Sequence, residues 1–62
     1  MTVRLGLLGG RYPVMLRADK RGLWGLFVES RHVRSYSTRA GAIRGARRIF
    51  PELQRQGPWG AG

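Results

Sequence analysis

A chain of 62 residues without cysteine holds at most one domain, and it excludes disulfide staples, thiolate zinc sites and cysteine nucleophiles. Twelve Lys and Arg against three Asp and Glu give a formal net charge of +9, a balance that favours a polyanionic partner. One histidine and three scattered carboxylates leave little for catalysis or a metal site, and no apolar stretch approaches the ~18 residues that span a bilayer.

Residues 1–10 read either as an N-terminal arm or as a short strand. Val3, Leu5 and Leu7 alternate with Arg4 and Gly6, and Gly9-Gly10 ends the pattern. As an arm, the segment would lay Arg4 along a phosphate backbone. As a strand, it would put Val3, Leu5 and Leu7 into a core.

Residues 11–18 read as a strand with Tyr12, Val14 and Leu16 on one face and Met15 and Arg17 on the other. Pro13 lacks a backbone donor, which argues for a sheet edge. Asp19-Lys20-Arg21-Gly22 is a turn. Residues 23–30 are apolar on both faces: Trp24, Leu26 and Val28 against Leu23 and Phe27, with Glu29. They therefore read as the central strand, with Gly25 leaving space beside Trp24. Arg31-His32 is expected to turn the chain into a third strand over 33–37, where Arg34 and Tyr36 oppose Val33, Ser35 and Ser37.

Thr38 suits a helix N-cap, because its hydroxyl can accept from a free first-turn amide. Ala42, Ile43, Ala46, Ile49 and Phe50 then form an apolar stripe at helical spacing, with Arg44, Arg47 and Arg48 on the opposite face. Pro51 stops the helix. Gly41 and Gly45 each cost it roughly 1 kcal/mol against alanine, so packing must hold it. Residues 52–62, rich in Gly and Pro, are expected to be a flexible tail carrying Trp59, which either docks on the domain or contacts a partner.

The expected fold is therefore α+β in the order β-β-β-α. Three antiparallel strands and one helix packed on one face make a domain over 11–51.

Of the twelve cations, eleven are arginine, which forks onto phosphate and guanine edges and stacks on bases. If the helix covers one sheet face, the face bearing Arg17 and Arg34 is the better candidate for the free one, because unpaired charges are rarely buried. Trp24 either joins that face or anchors the core under the helix. The candidate nucleic-acid contacts are Arg17, Lys20, Arg21, Trp24, Arg31, Arg34, Arg44, Arg47 and Arg48. The arginines of the helix and the basic turn also fit an ordinary solvated surface. His32, in an expected turn, fits a solvated residue or a phosphate contact better than a catalytic base. We assign no catalytic residue, metal ligand or cofactor.

The segments "LWGLFVE", "VRSYST" and "AGAIRGARRI", within Tyr12 to Phe50, resemble the sheet-reading DNA-binding fold of ethylene-response factors and of the arm-binding domains of tyrosine integrases. That resemblance implies a three-stranded sheet in the major groove, read by Arg17, Arg21, Trp24, Arg31 and Arg34, and an origin in a phage or mobile element. "YPVML" and "STRAGAIRGARRI" also resemble HicB-type antitoxins, although the Pro-Asp-Leu-Pro-Gly-type loop and the acidic helix start are missing.

The expectation is a non-catalytic, cytoplasmic nucleic-acid-binding module with DNA favoured over RNA. The alternatives are a small protein-binding modulator, such as a phage inhibitor or an antitoxin, and a basic RNA-associated protein. Membrane association is not expected. An edge strand leaves dimerisation open.

Overall fold

The computed structural model describes residues 2–57. Strands β1 (Thr2–Leu8), β2 (Tyr12–Ala18), β3 (Trp24–Val28) and β4 (Arg31–Tyr36) form one antiparallel sheet in the order β1-β2-β3-β4. Helix α1 (Arg39–Ile49) follows, then a 3-10 helix, Pro51–Arg55. The fold is α+β as expected, with a sheet of four strands instead of three.

The fourth strand is the N-terminal segment. Its alternation is interrupted by a register shift between Arg4 and Gly6, where Gly6 has φ +144°. The shift changes the apolar phase: Val3 and Leu5 are buried, Leu7 turns outward and Leu8 packs at the core's margin.

Adding β1 outside β2 makes β2 an interior strand, so the edge position inferred from Pro13 is wrong. Pro13 is tolerated because it lies where β3 has already ended. Its carbonyl accepts from the Glu29 amide (2.9 Å) in the β3–β4 turn, and no ladder donor is needed there.

That turn also lies two residues earlier than expected. Glu29 and Ser30 make it, both at positive φ (56° and 136°), and Arg31 and His32 belong to β4. Positive φ at both corner positions is the demand of tight hairpin turns that normally recruit Asn and Gly. Ser30→Gly relieves this, and we expect up to about 1 kcal/mol of added stability in urea unfolding.

The core lies between the sheet and α1. Val3, Leu5, Val14, Leu16, Leu26, Ala42, Ala46 and Leu53 are fully buried, and Trp24, Val28, Tyr36, Ile43 and Phe50 pack around them. The helix is capped as its sequence suggests: Thr38 Oγ1 accepts from the Gly41 amide at 3.0 Å. Alanines at 42 and 46 let α1 sit close to β3. Ile49 departs from the expected stripe and is largely exposed. Leu26 sits at 0% exposure on an interior strand. Leu26→Ala should cost roughly 2–5 kcal/mol, read as a lowered urea midpoint at unchanged slope.

Residues beyond Pro51 were expected to be tail, yet the chain continues as structure to Gly57. Leu53 is fully buried, which closes the end of the core left open between β1 and α1. The Gln56 side-chain amide pairs with the backbone of Leu7, accepting from its N–H (2.8 Å) and donating to its C=O (3.0 Å). It thus occupies, at one residue, the place of a neighbouring strand on the β1 edge. Glu52 accepts from the Gly9 amide (3.0 Å). Trp59 lies outside the described residues.

Candidate nucleic-acid interface

The sheet has one face under α1 and the other uncovered by any described element. Pairing places the side chains. On the uncovered face, Arg17 stands opposite Gly25, Met15 opposite Phe27, and Phe27 opposite His32, with Ser35 across from Gly25. Arg4 pairs with Met15 at the β1 side.

These residues form a linked set. The Arg17 guanidinium lies over the Phe27 ring, 5.3 Å from its centroid. The Phe27 and His32 rings are 5.2 Å apart, tilted by 58°. His32 Nε2 and Ser35 Oγ are hydrogen-bonded at 3.0 Å. Gly25 permits this arrangement, because a Cβ there would meet the Phe27 ring at 2.8 Å. The space expected beside Trp24 is therefore used by Phe27, on the other face. A hollow of about 370 Å³ opens between Phe27, Arg17, His32 and Ser35, and a smaller one lies between Phe27 and Met15.

Trp24 stands on the helix side, opposite Tyr36, and packs against the core. Of its two sequence readings, the core anchor is the one its position fits. Phe27 is the aromatic that the uncovered face offers. Sequence reasoning separates Phe27 from the Trp24 face and gives it no role.

Lys20 and Arg21 sit exposed in the β2–β3 turn, at the Arg17 end of that face. The turn is built by Asp19, whose Oδ1 accepts from the amides of Arg21 (2.8 Å) and Leu23 (3.0 Å). Asp19 is thus committed to the loop backbone, and the two cations are held outward.

Arg34 does not share a face with Arg17, which corrects the grouping drawn from alternation. A bulge at Val33 lets His32 pair with Phe27 while Arg34 pairs with Leu26, so Arg34 projects on the helix side. There it lines a cleft of about 300 Å³ with Tyr36, Gly41, Arg44, Gly45 and Arg48. Arg31, opposite Val28, is on the same side at the far end of β4.

The three helix arginines also part company. Arg44 and Arg48, one turn apart, both line the cleft. Arg47 donates from Nη2 to the Gly57 carbonyl (2.8 Å) and so holds the C-terminal segment. Like charges one helical turn apart cost a few tenths of a kcal/mol, which the place of Arg48 in the last turn, favourable to the helix dipole, offsets. Gly45 is required by packing, since a Cβ there would overlap the Tyr36 ring. The Tyr36 hydroxyl is buried with no hydrogen-bond partner among the described residues.

Among the described residues no three His, Cys, Asp or Glu gather to hold a metal, and no helix is long and apolar enough to cross a membrane. The molecule is thus a small α+β protein with a four-stranded antiparallel sheet, one basic and aromatic face that no described residue covers, and a second group of arginines beside its helix. Comparison with known proteins finds no matching family model, no matching characterised protein and no matching solved structure.

Proposed function

We propose that the chain is a non-catalytic nucleic-acid-binding module, with duplex DNA its expected ligand, and that the sheet face opposite α1 makes the base-side contact. The observation that carries this reading is the Arg17–Phe27 stack on an uncovered face, flanked by His32 and Ser35. A guanidinium held over an aromatic ring is positioned to fork onto guanine or phosphate with less rotamer entropy to lose. Hydrogen-bonding groups beside it suit base edges, and Lys20 and Arg21 suit the flanking backbone.

The face is tested by Arg17→Ala combined with Phe27→Ala, measured by fluorescence anisotropy on a mixed-sequence 20-bp duplex. A loss of about 10-fold or more is expected, since one good contact is worth roughly 1–3 kcal/mol. Unchanged affinity in a folded double variant sinks this assignment. Parallel titrations with single-stranded and duplex RNA rank the ligands. If duplex RNA binds best, the DNA expectation is wrong while the nucleic-acid reading stands.

A further inference from the structure

The cleft beside α1 has no part in the sheet-face reading, yet its composition is unusual. Arg34 comes from the outermost strand, and Arg44 and Arg48 from the exposed side of the helix, and all three line one concavity. The chain has only three acidic residues, and none lines the cleft. Asp19 is bound to its own loop and Glu52 to the Gly9 amide, while Glu29 lies in the β3–β4 turn. The wall is formed by the Tyr36 ring packed against Gly45, with Gly41 beside it.

We propose that this cleft is a phosphate clamp, in which Arg34, Arg44 and Arg48 together hold one phosphate group. Mutual repulsion among guanidinium groups with no carboxylate between them is relieved by an anion at their centre. Planar donor forks from two elements match the oxygens of a phosphate in several directions at once. A single cation on a solvated helix face lacks that convergence. The phosphate is supplied either by a nucleic-acid backbone or by a small phosphate compound. The first source rests on the function proposed above, and the geometry of β4 favours it. This strand alternates His32 and Ser35 toward the open face with Arg34 toward the cleft, so a polymer lying along the β4 edge reaches both.

The experiment compares Arg44→Gln/Arg48→Gln with a charge-matched control, Arg11→Gln/Arg55→Gln, whose exposed arginines lie outside the cleft. Circular dichroism first establishes that both are folded. Each is titrated with the 20-bp duplex across a salt series and, separately, with inorganic pyrophosphate by calorimetry.

If the cleft variant loses at least about 10-fold in duplex affinity beyond the control, with a salt slope shallower by about one unit, the clamp holds backbone phosphate. If duplex binding falls equally in both but pyrophosphate binding is lost only in the cleft variant, the clamp stands and its ligand is a small phosphate compound. Equal losses in both arms, or no pyrophosphate or duplex binding by the unmodified chain, overturn it. Failure of the sheet-face reading is distinct. There, Arg17→Ala/Phe27→Ala binds duplex normally while the cleft variant does not.

Discussion

Gly6→Ala should remove most of the stability of this protein. Gly6 has φ +144°, a region that L side chains rarely adopt, and its residue is buried. A Cβ built there meets Gln56 Oε1 at 2.5 Å and Gln56 Cδ at 2.8 Å. Backbone strain of this kind costs about 1–3 kcal/mol, and displacing the Gln56 amide from Leu7 forfeits two hydrogen bonds worth roughly 1 kcal/mol each. A loss of about 3 kcal/mol is therefore expected. A single core of this size rarely supplies more than about 3–5 kcal/mol, so little would remain.

The thermal midpoint by circular dichroism should fall by about 12–24 °C, taking 4–8 °C per kcal/mol for a small domain. Gln56→Ala alone should cost less, because it removes the edge pairing without straining Gly6. The double variant then separates the two terms. If steric displacement dominates, the two losses are far from additive, and Gln56→Ala rescues part of the Gly6→Ala defect. A loss of under 1 kcal/mol in Gly6→Ala would show that Gln56 yields easily and that the β1 edge does not depend on it.

The same contact explains what could and could not be read from the sequence. Local signals were reliable where one element decides its own geometry. The face assignments in β2 and β3 follow from strict alternation, and Thr38 caps α1 for reasons contained in four residues. The inner side of α1 was legible in Ala42 and Ala46 because a helix so rich in arginine has few other residues to bury.

What escaped is set by partners distant in the chain. β1 loses its alternation at the Gly6 bulge, and the bulge is stabilised by a side chain fifty residues later. Leu53 looks like tail because its neighbours are Pro, Glu and Gln, yet it closes the core. Pro13 suggested an edge because sequence does not show that β3 ends before reaching it. The candidate site was legible as a list of cations and not as surfaces. One unpaired residue, Val33, moves Arg34 from the open face to the helix side, and a tertiary bond to Gly57 takes Arg47 out of the helix group. Phe27, the residue on which the open face is built, could have been found by asking which aromatic lies diagonal to Arg17, opposite Met15, across a hairpin centred on Arg21.

The largest functional effect should be the salt dependence of duplex binding. Of the candidate contacts, six arginines and Lys20 remain once Arg47 is assigned to Gly57: Arg17 and Arg21 with Lys20 at one end of the open face, Arg31 on β4, and Arg34, Arg44 and Arg48 at the cleft. The three cleft residues share one phosphate, so the set neutralises ~5 phosphates and not seven. On B-DNA this gives a log–log slope near −5, or a fall of about 10³ in affinity between 50 and 200 mM monovalent salt.

Anisotropy on the 20-bp duplex reads both the slope and the affinity. A slope near −3 would mean that only the open face touches DNA, and one between −1 and −2 that only the helix side does; the Arg17→Ala/Phe27→Ala and Arg44→Gln/Arg48→Gln variants check the assignment. Absence of binding at 50 mM salt by a folded sample would assign the arginines to another partner. Recovery of one stoichiometric protein after nuclease treatment would then favour the protein-modulator alternative. A slope near −5 that both variants make shallower is the outcome expected of one polymer spanning the β4 edge. If the two surfaces served separate anions, only one of the two variants would change the duplex slope, because counterions are released from the DNA phosphates that the protein neutralises and not at a site the duplex does not reach.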